Sequence, residues 1–141
     1  MRKALIFVLS SVLLVACSGP EQAETIIASK IEQMEKAVES RSSRDFLEPV
    51  FHGFVSDVGR NKEWLQRTFA FYQLRHQRIS VVVSNLEVSI RQSGVAQAEF
   101  DVLLTGGEGL LPNSAATYRV ETDWRQEQGD WVLVYASWNK P

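Results

Sequence analysis

The chain has 141 residues, of which 45% are hydrophobic and 23% charged, and its net charge at pH 7 is −2. This length suffices for one domain with a buried core, and the slightly acidic balance argues against nucleic acid or an anionic membrane surface as the binding partner. The single cysteine, Cys17, excludes an intramolecular disulfide and a cysteine-based metal site. Since no group of histidines and carboxylates has metal-ligand spacing, we expect no metal and no other cofactor.

Residues 1–16 have the pattern of a signal peptide. Arg2 and Lys3 form a positive start, and residues 4–15 form an almost continuous apolar run. The run is too short for a transmembrane helix, which needs about 20 apolar residues. Removal of this leader takes away two basic residues and lowers the net charge to −4.

The leader ends at a motif that carries a resemblance. Leu14-Val15-Ala16-Cys17 resembles the lipobox of bacterial lipoproteins. That resemblance implies cleavage between Ala16 and Cys17 and acylation of Cys17, and two or more acyl chains hold a protein stably at a bilayer. Ser18, instead of an aspartate, resembles the outer-membrane sorting pattern, which implies an outer-membrane anchor facing the periplasm. The alternative is a chance cysteine after an ordinary signal peptide.

A tether and a long helix are predicted next. Residues 17–23 comprise the lipidated cysteine and a polar tether, and residues 24–141 comprise one domain. An apolar stripe at spacings of four, three and four residues predicts the first helix. The stripe consists of Ile27, Ile31, Met34 and Val38.

Two further helices are predicted before the strands. Ser42 or Ser43 caps a short helix that continues through Phe51, with Pro49 tolerated only in about its first turn. Residues 54–58, between two glycines, form a short strand or a hairpin. Asn61 caps the third helix, which ends in a basic segment suited to a helix C-terminus. The aromatic face of that helix contains Trp64, Phe69, Phe71 and Tyr72. Periodicity does not decide whether this face belongs to the core or lines the mouth of a cavity.

From Ile79 onward, apolar and polar residues alternate, which predicts a four-stranded antiparallel meander. We expect three-residue hairpin loops at residues 92–94 and 127–129, with Gly94 in the left-handed conformation. These loops predict the pairs Arg91–Val95, Ile90–Ala96, Val88–Ala98, Leu86–Phe100, Trp124–Val132, Thr122–Val134, Val120–Ala136 and Tyr118–Trp138. One face is then apolar and carries Trp124 and Trp138. The other face is half polar and carries Arg119, Glu121, Asp123 and Arg125 beside Trp131, Leu133 and Tyr135.

Short motifs in the strands, together with the order of the elements, carry a second resemblance. The motifs are LLTGG at 103–107, GLLP at 109–112, YRVETDWR at 118–125, GDW at 129–131, ASW at 136–138, and RHQRI at 75–79 before the first long strand. They resemble uncharacterised bacterial lipoproteins of the nuclear transport factor 2-like (SnoaL-like) superfamily, over about residues 23–138. The resemblance implies an α+β, cone-shaped fold in which three N-terminal helices pack on a strongly curved antiparallel sheet and enclose a cavity. That superfamily contains isomerases, dehydratases, hydrolases and binding modules, so the resemblance implies no single function.

The loop after residue 105 contains the candidate contact residues. Leu110 and Leu111 are adjacent in a segment otherwise rich in Gly, Glu, Pro and Asn. The loop is longer than the roughly 2 to 5 residues that a hairpin connection needs. We expect the two leucines to close the cavity, to contact a partner or the bilayer, or to cap the core locally. The glycines do not form a phosphate site, because no helix follows them and Glu108 adds a negative charge.

The remaining candidates for acid/base chemistry are two histidines and the strand carboxylates. His52 and His76 are predicted at helix ends, where capping or surface roles are favoured over catalysis. Asp101, Glu121 and Asp123 are predicted on the half-polar face of the sheet, where cross-strand pairing is favoured over a general base. We therefore assign no catalytic residue.

Two hypotheses of different classes remain. In the first, the protein is a membrane-anchored periplasmic module without enzymatic activity, which binds a small apolar ligand in its cavity or a protein partner. In the second, it is an acid/base enzyme of the isomerase, dehydratase or hydrolase type that acts on a small hydrophobic substrate in the cavity. A carboxylate or imidazole inside an enclosed apolar cavity, with a raised pKa, would favour the enzyme.

Overall fold

The computed structural model describes residues 19–107 and 114–141. Leu110 and Leu111, like Ala16 and Cys17, lie outside the described residues. The described part folds into an α+β domain in which the strands form one sheet in the order β1-β5-β4-β3-β2, so the predicted fold class is confirmed. The elements are α1 (Pro20–Glu39), α2 (Ser43–Leu47), β1 (Val50–Ser56), α3 (Lys62–Arg75), β2 (Arg78–Gln92), β3 (Val95–Gly107), β4 (Ser114–Glu127) and β5 (Asp130–Asn139).

The long helix α1 begins earlier than the predicted residue 24. Its first residue is Pro20, whose missing N–H costs nothing at a helix start, so residues 20–23 are helical instead of part of a tether. The predicted stripe faces the core, with Ile27 and Ile31 buried. No helix among the described residues is long and apolar enough to cross a bilayer.

α1 runs antiparallel to the edge strand β2 and caps part of its free edge. Glu39 Oε1 accepts a hydrogen bond from Val81 N at 3.4 Å, and Glu35 Oε1 accepts one from Val83 N at 3.2 Å. The two carboxylates therefore satisfy edge amides that would otherwise be open to pairing with another strand. The first half of α1 therefore lies near the end of β2, beside the hairpin turns. Lys30 of α1 forms an ion pair there with Asp130, the first residue of β5, at 3.1 Å.

The second helix is shorter than predicted, and a strand replaces its expected last turn. Ser42 caps α2 by accepting a hydrogen bond from Asp45 N at 3.2 Å, and α2 ends at Leu47. Pro49 follows, and Val50–Ser56 form β1, which pairs in parallel with β5. Pro49 has no N–H to continue the helix, which is why the chain leaves the helical conformation there.

At the β2–β3 hairpin the turn has two residues instead of three. Gln92 pairs with Val95, so the predicted Arg91–Val95 pair is wrong. A bulge at Arg91 restores the predicted pairs Ile90–Ala96 and Val88–Ala98. A second irregularity between Ser84 and Glu87 leaves Leu86 outside the regular pairing with Phe100. Gly94 has φ of 74°, as predicted.

The β4–β5 hairpin also has a two-residue turn, and here the predicted register is wrong by one residue. Gln128 and Gly129 both have positive φ, 51° and 84°, which is typical of a type I′ turn. Glu127 therefore pairs with Asp130, and Trp124 pairs with Leu133 instead of Val132.

Val134 lies outside the regular pairing, so the residues of β5 after it face the sides of the sheet that were predicted for them. Thr122 pairs with Ala136 and Val120 with Trp138, so Trp138 shares the inner face with Trp124 as predicted. Trp131 and Leu133 are buried in the core, so their predicted place on the half-polar face is wrong.

The inner face of the sheet has two ends. The closed end, near the two hairpin turns, contains buried residues of β3, β4 and β5 packed with Ile27 of α1: Ala96, Ala98, Trp124, Trp131 and Leu133. The open end, at the start of β4 and beneath α3, contains Arg60, Trp64, Tyr72, Tyr118 and Trp138. Gly106 pairs with Ser114 at the open end.

Candidate functional site

A cavity of about 510 Å³ lies between α1, α3 and the inner face of the sheet. Ligand sites for small molecules typically measure about 300 to 1,000 Å³. The lining is mostly aliphatic and aromatic, with Trp124 and Leu133 at the closed end and Trp64 and Trp138 at the open end. The helices supply Met34, Val38 and Leu65, and the strands supply Val83, Val102, Tyr118 and Val120.

The carboxylate and the buried hydroxyl of the cavity already have partners. Glu35, the one carboxylate among the described lining residues, accepts the hydrogen bond from Val83 N. Thr122 Oγ1 donates to Ala98 O at 2.8 Å and accepts from Trp124 Nε1 at 2.9 Å. The bonds of Thr122 hold β3 and β4 together on the inner face, and the bond of Glu35 ties α1 to β2.

Neither histidine lines the cavity. His76 is the C-cap of α3, as predicted: its N–H donates to Tyr72 O at 3.1 Å, and its ring stacks on Tyr72 at 6.0 Å. The ring also packs on Gly106, where a Cβ would lie only 2.8 Å from His76 Cγ. His52 is exposed on β1 beside Phe51, not at a helix end.

The carboxylates on the outer face of the sheet form cross-strand pairs. Arg119 contacts Glu99 at 3.1 Å and Asp101 at 3.2 Å, which confirms the paired face predicted for Asp101. Hydrogen bonds from Asn85 and Arg119 lower the pKa of Asp101, whereas burial raises the pKa of Asp123 against the opposing effect of Arg91. Among the described residues, no group of three or more His, Cys, Asp or Glu side chains could hold a metal ion.

A tight turn between β1 and α3 positions Arg60 at the cavity. The buried Ser56 Oγ accepts hydrogen bonds from Val58 N at 3.3 Å and Arg60 N at 3.1 Å. Asn61 then caps α3, as predicted, by accepting from Trp64 N at 2.9 Å. Arg60 thus immediately precedes the N-cap of the helix that carries Trp64, and both side chains line the cavity.

Arg60 contacts both tryptophans of the open end. Its Cζ lies 4.3 Å from the ring centroid of Trp64 and 5.6 Å from that of Trp138. The two indole rings are stacked at 6.0 Å with an interplanar angle of 24°. Within the described part of the chain, the basic side chains in ion pairs are Lys30, Lys36, Arg119 and Arg125, so Arg60 has no carboxylate partner there.

The sequence analysis missed Arg60. A single arginine between Gly59 and Asn61 belongs to no motif. The signal that could have found it is its position beside the predicted cap Asn61, one helical turn before Trp64.

The chain is similar to solved structures over most of its length. A nuclear transport factor 2-like protein of unknown function from Pseudomonas putida KT2440 has a TM-score of 0.72 at 18% identity, covering 86% of this chain and 88% of that one. A protein of Novosphingobium aromaticivorans DSM 12444, provisionally named a scytalone dehydratase, has a TM-score of 0.76 at 9% identity, with coverages of 86% and 85%. A cystatin-like protein of unknown function from Nostoc punctiforme PCC 73102 has a TM-score of 0.68 at 16% identity, with coverages of 84% and 90%. The sequence matches no protein-family model and no curated protein.

The chain therefore has the nuclear transport factor 2-like fold that the resemblance implied, which is also called cystatin-like. At these identities the similarity shows the fold alone. Because one fold can support many unrelated functions, the function of this protein has to be argued from its own cavity.

Proposed function

We propose that this protein is a binding module without enzymatic activity, which holds a small apolar ligand in the cavity. The observation that supports this is an apolar cavity of about 510 Å³ whose carboxylate, Glu35, is already bonded to the backbone. A ligand that fills such a cavity gains about 25 cal/mol for each Å² of apolar surface removed from water. Acid/base catalysis instead needs an ionisable group that can exchange a proton with the substrate. Neither histidine lines the cavity, and Glu35 binds the backbone of β2 through Oε1.

Two neighbouring valines of β2 provide a test of the binding site. Val83 lines the cavity, whereas Val82 lies on the opposite face and is 50% exposed. Val83→Trp fills the cavity, and Val82→Trp adds the same volume outside it. The measurement is the fluorescence titration of N-phenyl-1-naphthylamine, an uncharged apolar probe, with thermal unfolding of each variant to verify its fold.

We expect a saturable fluorescence increase with the wild-type chain and with Val82→Trp, and a large loss with Val83→Trp. Equal binding by all three chains would place the probe outside the cavity. A wild-type chain that binds no probe would contradict the proposed function.

We further propose that acylated Cys17 anchors this module in the outer membrane, facing the periplasm. The Leu14-Val15-Ala16 motif before Cys17 supports the anchor. Since α1 begins at Pro20, only two residues separate Cys17 from the folded domain. A helix of 20 residues is about 30 Å long, and α1 starts toward the closed end, so the open end lies on the far side of the domain from the anchor.

Mass spectrometry of the protein from its own membranes tests the anchor. We expect an acylated N-terminal cysteine at residue 17, with the protein in the outer-membrane fraction. Cys17→Ser should leave the protein soluble or unprocessed, whereas Ser18→Asp should keep the acylation and change the membrane fraction. An unmodified N-terminus produced by cleavage at another residue would contradict the proposal.

A further inference from the structure

Resting on the proposed function, we propose that the ligand is an amphiphile with one carboxylate: its apolar tail fills the cavity, and its carboxylate pairs with Arg60. Arg60 is the one cationic side chain among the described residues that line the cavity. Arg60 forms no ion pair with a described carboxylate, and Glu35, the other charged side chain of the described lining, bonds through Oε1 to Val83 N. The cavity thus combines an apolar volume with a single unpaired positive charge at one side.

The contacts of Arg60 leave its hydrogen-bond donors usable. Arg60 Cζ lies over the rings of Trp64 and Trp138, and Arg60 forms no ion pair with a described residue. A guanidinium group carries its five N–H donors along the edges of its plane. Those edges match the two oxygens of a carboxylate, and such bidentate pairs are stronger than neutral hydrogen bonds. The apolar surroundings strengthen the attraction further, because they lower the local dielectric constant.

Arg60 is also held in place before a ligand binds. The backbone N–H of Arg60 donates to the buried Ser56 Oγ, and the carbonyl oxygen of Arg60 accepts from Ser56 N at 2.9 Å. The side chain is then confined by the stacked rings of Trp64 and Trp138. A preorganised cation of this kind binds an anion without the full entropy cost of ordering a long side chain.

The number of charges selects a carboxylate over a phosphate monoester. A phosphate monoester carries about −1.5 to −2 charges at pH 7 and needs more than one cation for neutralisation. The described lining offers one guanidinium, and its uncharged polar groups include the hydroxyls of Thr68, Tyr72, Tyr118 and Thr122. One guanidinium balances one carboxylate.

A ligand series of equal tail length tests this inference. The protein is the chain from residue 17 onward with Cys17→Ser, which contains every described helix and strand and needs no detergent. Calorimetric titrations with decanoate, decyl phosphate and 1-decanol, at pH 7 and low salt, compare the head groups. We expect decanoate to bind about tenfold or more tightly than the other two, in line with a charge-assisted hydrogen bond inside an apolar site.

Arg60→Met is the decisive variant, and Arg67→Met is its matched control. Arg67 lies in α3, is exposed and does not line the cavity. Arg60→Met should bind decanoate no more tightly than 1-decanol and should keep the wild-type affinity for 1-decanol. Arg67→Met should keep the wild-type preference.

The outcomes separate this inference from the proposed function. If wild-type protein binds 1-decanol or decyl phosphate as tightly as decanoate, or if Arg60→Met keeps the preference for decanoate, the inference is wrong while the binding function stands. If no member of the series binds and N-phenyl-1-naphthylamine does not bind either, the binding function itself is wrong. The wild-type series decides the question even if Arg60→Met does not fold.

Discussion

The two ends of the inner face use the same residue type for different purposes. At the closed end Trp124 and Trp131 are 1% and 3% exposed, inside a core that α1 covers. At the open end Trp64 and Trp138 remain partly exposed and line the cavity. The difference follows from the covering helix, since α1 buries Ile27 and Ile31 whereas α3 has no fully buried residue. Loose coverage by α3 is what leaves space for a ligand.

The largest expected effect separates the two ends directly. Trp124→Ala should lower the free energy of unfolding by about 3 to 5 kcal/mol, because it creates a large cavity in a packed core. From the sequence alone, Trp138→Ala is expected to cost as much. The structure lowers that expectation to about 1 to 2 kcal/mol, since Trp138 stays partly exposed whereas Trp124 is 1% exposed. Urea denaturation measures both values.

Ligand binding should be weakened more by Trp138→Ala than by Trp124→Ala, the opposite of their order in stability. Trp138→Ala should weaken binding of N-phenyl-1-naphthylamine more than any stability change explains. Equal losses of stability in the two variants would contradict the distinction between the closed and open ends.

A buried hydroxyl gives the next largest effect, at the closed end. Thr122→Val removes the hydroxyl that bridges Ala98 O and Trp124 Nε1 and leaves both polar groups buried without this partner. We expect a loss of about 2 kcal/mol in urea denaturation. Thr117→Val is the control, because Thr117 is exposed on the same strand, and it should change stability by less than about 0.5 kcal/mol. A smaller loss for Thr122→Val than for the control would contradict the assigned role.

The sequence predicts the elements that have a clear period and misses those set by turn conformation. The stripe of α1 is correct, and β2 to β5 form where the alternation predicts strands, although the first residues of β5 face the opposite sides from those predicted. The loop at residues 127–129 is predicted one residue too long, because a single glycine suggests one left-handed residue, whereas Gln128 adopts positive φ as well. The irregularity at Val134, which no sequence pattern indicates, then returns Trp138 to the inner face.

The candidate site was less predictable than the fold. Periodicity shows which side chains face inward, but it does not show whether the space between them is filled. Trp64 could therefore be assigned to an aromatic face but not to a cavity. Arg60 enters the site through the turn around Ser56, a contact between residues that no amphipathic pattern records.

The turn around Ser56 gives a smaller effect, at the open end. Ser56→Ala removes the acceptor of the N–H groups of Val58 and Arg60. We expect about 1 kcal/mol of lost stability, less than at Thr122, because Val58 is 64% exposed and its N–H can turn to water. Decanoate binding should weaken while 1-decanol binding stays unchanged, because Arg60 loses its support. Unchanged decanoate affinity would show that the turn does not position Arg60.

The smallest expected effect is that of two aspartates on the outer face of the sheet, one behind each end of the inner face. Asp123 pairs with Tyr135, next to the row of Trp124, and Asp101 pairs with Arg119, toward the open end. Hydrogen bonds from Asn85 and Arg119 hold the pKa of Asp101 below its ordinary 3.8, so its contribution to stability is present above that value and is lost as pH falls through the lowered pKa. Burial raises the pKa of Asp123, so its contribution is present below 3.8 and is lost as pH rises through the raised pKa.

The two asparagine variants should therefore change stability with opposite signs. Asp101→Asn should be less stable than wild type at pH 7 and should lose this difference on acidification, with a smaller effect in high salt because Asp101 is near the surface. Asp123→Asn should be as stable as wild type or slightly more stable at pH 7, because it removes a partly desolvated charge. Urea denaturation followed by tryptophan fluorescence, between about pH 3 and pH 7, measures both differences. Changes of the same sign in both variants would mean that the two ends do not differ in how they solvate the charges behind them.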